Sequence, residues 1–138
     1  MRIPLGIFVT VSLSLAFAAA ANAADSWTPI PACGAQAPSA DDIISNSPLW
    51  TCAKAEFQKS QASYLAALNA YAARVPGGEQ GRLGDKVAAW KDADTESCTR
   101  QASLDYGCAI AALYRRAELL KAALAQCGGG TCTDETLP

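Results

Sequence analysis

The chain has 138 residues, 51% of them hydrophobic and 17% charged, and carries a formal net charge of −2. That length makes one domain with a modest core, and the weakly acidic balance gives no general attraction to nucleic acid or anionic lipid. The chain has no histidine, which removes the side chain most often used for acid–base work and metal ligation near neutral pH.

Residues 1–23 read as an export signal. Arg2 supplies the positive start, the run "IFVTVSLSLAFAAAA" is apolar but too short for a membrane span, and Ala21-Asn22-Ala23 fits a small-x-small cleavage site. Cleavage there leaves a mature chain beginning at Ala24 with a formal charge of −3, because Arg2 is lost. The first cysteine is Cys33, away from the cleavage point, so no lipid anchor is expected. No later run is long and apolar enough to span a membrane, so no insertion is expected after signal removal. The location implied is periplasmic or secreted. Cys33, Cys52, Cys98, Cys108, Cys127 and Cys132 all follow the cleavage site, and an even number in a small exported domain predicts three disulfides. A metal site is the weaker reading, since the chain has no C-x-x-C pair and no histidine.

Residues 24–46 form an irregular lead containing Pro29, Pro31, Gly34 and Pro38. Within it Ser39 and Asp42 resemble a capping box, predicting a short helical turn near Ile43. A helical domain is expected over 47–127. Ser47-Pro48 is a strong helix start, serine as N-cap and proline at the first helical position. Trp50, Phe57, Tyr64, Leu68, Tyr71 and Val75 then fall within about a 60° arc at 100° per residue, one core-facing stripe. Helical spacing makes packing a better reading of these aromatics than a ligand-binding surface. Val75-Pro76-Gly77-Gly78 stops this helix.

A second helix starts between Glu79 and Asp85 and carries Leu83, Val87 and Trp90. A third begins near Ser103, its candidate N-cap, and carries Ile110, Leu113, Ala117, Leu120 and Leu124, with Gly128 as its stop. No alternating β-branched run is present, so no strands are expected. The fold class is all-α: an antiparallel helical hairpin with a third helix packed along it, stapled by disulfides and followed by a tail over 128–138. In that arrangement Cys52, Cys98 and Cys108 share one end of the bundle, Cys33 reaches it through the lead, and Cys127 and Cys132 occupy the other end. Cys127 therefore pairs with Cys132. Cys33–Cys52 and Cys98–Cys108 are preferred for the rest, with the other pairings among those four open.

The segments "CAKAEFQKSQASYLAALNAY", "LGDKVAAWKDADTESC" and "DYGCAIAALYRRAELLKAAL" resemble the lysozyme inhibitor LprI-like N-terminal domain family. Cys52, Trp90, Cys98, Cys108 and Arg116 lie on that family's pattern, over roughly residues 47–124. Val87-Ala88 and Asp94-Thr95 stand where the family usually has Gln-Arg and Arg-Asp. The resemblance implies a small, exported, cysteine-bridged helical domain, and for some members inhibition of lysozyme.

Catalytic signatures are weak. Paired-carboxylate hydrolysis needs two acids across one cleft, and the sequence places no such pair. A cysteine nucleophile needs a reduced thiol and a base. The glycines of "GGEQG" and "CGGGTC" lack the lysine and strand of a phosphate loop, and Arg115-Arg116 is only one basic pair. No enzyme activity and no cofactor are expected. On the second helix, angular position separates Asp85 and the acids of "AAWKDADTESC". Asp85, Asp92 and Glu96 lie on the face away from Leu83, as solvated surface or as the contact for a cationic lysozyme-like partner, whereas Asp94 points along the apolar seam and needs either a partner such as Arg100 or Arg115 or a place at the frayed bundle end with access to water. The expected function is a small exported binding protein that inhibits a lysozyme-like cell-wall hydrolase. The alternative is a structural or envelope-stress accessory domain without a dedicated enzyme target. Trp27 has no periodic partner to explain it.

Overall fold

A computed structural model describes residues 27–138; the expected signal peptide and its cleavage after Ala23 lie outside the described residues. Four α-helices follow one another: α1 (Ala40–Ser45), α2 (Pro48–Ala72), α3 (Gln80–Ser97) and α4 (Tyr106–Cys127). Short 3₁₀ turns lie at Pro31–Cys33, Gly77–Glu79 and Asp134–Thr136. Among the described residues no helix is long and apolar enough to cross a membrane.

Side-chain chemistry accounts for the element boundaries. At α1 the Ser39 hydroxyl accepts from the Asp42 amide while the Asp42 carboxylate accepts from the Ser39 amide at 2.8 Å, a complete capping box. The Ser39 amide, joined by the Ser39 and Ser47 hydroxyls that also donate to it, holds the Asp42 carboxyl below its ordinary range. Ser47 caps α2, accepting from the Trp50 amide at 3.1 Å with Pro48 in the first turn. The cap of α4 is Asp105 rather than Ser103, because the Asp105 carboxylate accepts from the Cys108 amide at 3.1 Å. Ser103 instead belongs to a two-stranded ribbon, Thr99–Arg100 (β1) against Ser103–Leu104 (β2), in antiparallel register Thr99↔Leu104. Strands this short carry no alternation to read. The two residues between them, Gln101 and Ala102, have φ of 48° and 62°, the sign a type I′ turn requires at both central positions.

The three long helices run up, down and up. Trp50 and Phe57 of α2 meet Tyr106 at the start of α4, edge-on with ring centroids 4.7 and 5.4 Å apart. Arg74, just past α2, donates to the carbonyls of Gly128 (2.7 Å) and Gly130 just past α4. So α2 and α4 are parallel, and they share the most extensive interface. The helix antiparallel to both, α3, lies over their seam through Leu83 and Trp90.

Small side chains set the α2–α4 contact. Ala53, Ser60 and Ala67 recur every seventh residue of α2 and are all buried, followed by fully buried Tyr71. Ala67 shares one apolar cluster with Ala117 and Ala123 of α4, and small residues at such positions let two helix backbones approach closely. The buried strip of α2 is therefore turned by about 50° from the aromatic stripe at 100° per residue, and Trp50, Phe57 and Tyr64 are only partly buried along its flank. One apolar cluster surrounds Ile30, Ala53 and Ile110, and a larger one contains Tyr71, Leu83, Trp90 and Leu120.

The disulfides are Cys33–Cys52, Cys98–Cys108 and Cys127–Cys132, the preferred set. Residues 128–138 are part of the core rather than a loose tail. Cys132 and Leu137 are buried within the larger cluster, and the segment's carbonyls accept from side chains of α2 and α3. Tyr71 donates to Thr133, Lys86 to Asp134 (2.9 Å) and Leu137 (2.6 Å), and Trp90 to Pro138 (3.1 Å).

Candidate functional site

Two surfaces carry chemistry, and both are organised by α3. On its outward face Asp85, Asp92 and Glu96 are all exposed, as their angular positions require. None of them forms an ion pair among the described residues. Ala88 and Ala89, between Asp85 and Asp92 on the same side of the helix, are small and exposed. Glu96 lies two residues before Cys98, whose bridge to Cys108 ties this end of α3 to the start of α4.

On the inward face the structure supplies the partner that Asp94 needs, but it is Arg116. The guanidinium donates through Nε at 3.0 Å and Nη2 at 3.1 Å to the two carboxylate oxygens, and the Arg116 and Asp94 side chains are 18% and 22% exposed. The same guanidinium stacks on the Trp90 ring, 4.6 Å from its centroid. Neither expected partner is available. Arg115 is turned about 100° further round α4 and is exposed. Arg100 donates to the Ser97 carbonyl at 2.9 Å and lies 3.8 Å from Asp105.

This ion pair forms one wall of a groove of about 420 Å³ bounded by three helices. Phe57, Tyr64 and Leu65 line it from α2, Val87 and Trp90 from α3, and Leu113 from α4. Ala109 and Ala112 lie beneath, and their lack of bulk leaves the space unfilled. Leu65 is 52% exposed at the rim, and Gln61, Lys91 and Thr95 add polar groups there. Burial pushes the Tyr64 phenol above its ordinary value; Arg116 opposes that shift and Asp94 adds to it. The dimensions and the apolar lining with few polar groups suit a small amphiphile.

The aromatic stripe read from the sequence thus has two fates. Tyr71 is wholly buried and Trp50 packs against Tyr106, whereas Phe57 and Tyr64 both support the core and form the groove. The groove itself arises where α3 crosses alanines on α4, and a residue pattern on one helix carries no signal of that crossing.

A third feature positions the lead. The Asp105 side chain is 1% exposed and accepts from the Thr28 amide at 3.0 and 3.1 Å and the Thr28 hydroxyl at 2.7 Å, besides capping α4. Gly107 makes room for this: a Cβ there would lie 2.0 Å from the Thr28 carbonyl oxygen. The neighbouring Trp27, unexplained by periodicity, is partly buried. Among the described residues no group of histidine, cysteine and acidic side chains is arranged to hold a metal ion. Searches against family models, curated proteins and solved structures find no match to this chain.

Proposed function

We propose that the chain is an exported binding domain that meets a cationic protein through the outward face of α3, and that its partner is a lysozyme-like cell-wall hydrolase. The observation that carries this reading is the stripe Asp85, Asp92 and Glu96: exposed, without an ion pair among the described residues, and interleaved with alanine. Unpaired surface acids on a rigid helix give a partner of opposite charge a faster encounter and a fixed orientation. The small residues between them let the partner's surface approach closely. The likeness of residues 47–124 to the LprI-like family supports the choice of hydrolase, and the cysteine framework supports an oxidising compartment.

The test is clearance of a cell-wall suspension by lysozyme with and without the purified protein. Clearance should slow in proportion to added protein. The double reversal Asp92→Lys with Glu96→Lys should weaken that effect by about tenfold at low salt, with a smaller difference when salt screens the charges. Unchanged clearance would overturn the hydrolase partner and favour an accessory domain of the envelope. Inhibition unaffected by the double reversal would remove α3's outward face as the contact.

A further inference from the structure

We infer that the groove between α2, α3 and α4 is a binding site for an aliphatic monocarboxylate, its chain lying on the apolar walls and its carboxylate meeting Lys91 at the rim. The inference uses the inward side of α3 and is independent of the acidic outward face.

Charge decides the head group. The protein is acidic overall, with a formal net charge of −2, yet the groove is bounded by two cations, Lys91 and Arg116, and one anion, Asp94. The Arg116–Asp94 pair is bidentate and closed on itself. Lys91 is three residues before Asp94, close enough in a helix to pair with it, but it has no ion pair among the described residues. One positive charge is therefore left over at an apolar opening, which matches one negative charge on the ligand. A cationic head would meet Lys91 with like charge, and a neutral head would leave the ammonium uncompensated beside the desolvated chain.

The walls decide the tail. Leu65, Val87 and Leu113 supply aliphatic surface and Phe57 supplies a ring face. Leu65 leaves half its surface in water, so covering it removes apolar area from solvent. The volume of about 420 Å³ lies within the range of preformed small-ligand sites, roughly 300–1,000 Å³.

Dodecanoate, dodecanol and dodecyltrimethylammonium, each below its micelle threshold, would be titrated calorimetrically into the oxidised protein, with amide shifts recorded by NMR. Dodecanoate should bind saturably with one site per chain and shift the amides of Leu65, Val87 and Leu113. Lys91→Gln, a change on an exposed side chain, should weaken it about tenfold. Gln61→Trp, which fills the groove from an exposed position, should abolish it while leaving the far-ultraviolet circular dichroism unchanged. Dodecanol should bind at least about tenfold more weakly than dodecanoate, and the ammonium amphiphile should give no saturable heat. The assignment is overturned by absent dodecanoate binding, by shifts confined to other surfaces, or by equal binding of the alcohol or the cation. Lys91→Gln leaving the affinity unchanged would overturn the carboxylate assignment even if Gln61→Trp failed to fold.

Discussion

Four carboxylates of α3 and the α4 cap separate into three roles that depend on angle and depth. Asp92 and Glu96 face water, Asp94 closes a bidentate pair, and Asp105 is buried with hydrogen bonds from Thr28 and Cys108. Asp94→Ala strands the Arg116 guanidinium in a partly buried position and should cost about 1–2 kcal/mol, lowering Tm by roughly 5–10 °C. Asp92→Ala and Glu96→Ala should each stay within about 0.5 kcal/mol, and thermal melts of the three variants check this directly. Asp105→Ala should cost about 2–4 kcal/mol, since it removes a helix cap and leaves buried donors without acceptors. Gly107→Ala drives a methyl into the Thr28 carbonyl and should cost a comparable amount. Because both changes break the same attachment of the lead, the double variant should lose less than the two single losses combined, by about 1 kcal/mol or more. Additive losses in denaturant titrations would show that the two side chains act on separate contacts. From the sequence, helical angle alone places Asp94 on the seam, where it needs a partner or access to water. Which arginine answers it depends on how α3 and α4 cross. The role of Asp105 rests on a contact with a residue 77 positions away, and local spacing carries no trace of it.

Elements were legible in proportion to their local chemistry. Ser39 with Asp42 and Ser47 with Pro48 are caps whose donors and acceptors lie within four residues, so α1 and the start of α2 could be placed from sequence. The true buried strip of α2 was not, because Ala53, Ser60 and Ala67 have little hydrophobic weight and are buried through their small size. The aromatics beside them dominate any periodicity, yet they mark the flank. The β-ribbon was missed for a different reason: Gln101 and Ala102 adopt positive φ without being residues that favour it. The disulfide Cys98–Cys108 and the bond from the Asp105 amide to the Cys98 carbonyl at 2.8 Å hold the ribbon closed around them. That conformation costs these two residues about 1 kcal/mol or more each relative to glycine. Replacing Gln101-Ala102 with Asn-Gly should therefore raise stability by about 1 kcal/mol, read as a higher denaturant midpoint at unchanged slope. A lower midpoint would mean that the Gln101 or Ala102 side chain makes a contact worth more than the relief of its backbone.

At the scale of the molecule, an up-down-up helical domain with paired cysteines at both ends could be read from periodicity and helix direction. The dominant interface is between α2 and α4, which are not consecutive, and α3 together with residues 128–138 covers their seam. That last segment offered no periodic pattern because it is attached largely through its main chain, with Lys86 and Trp90 donating to carbonyl oxygens that every residue type possesses. The pattern of covalent links has a consequence for how the domain is made. Each cysteine is joined to its nearest neighbour in sequence, across separations of 19, 10 and 5 residues, so no bridge encloses or interleaves with another. A chain emerging amino end first meets its partners in the order in which they appear. Oxidising each thiol with the next one available already yields the native set, and loops this short close quickly. Such a connectivity suits a compartment that supplies an oxidant but little capacity to reshuffle wrong pairs.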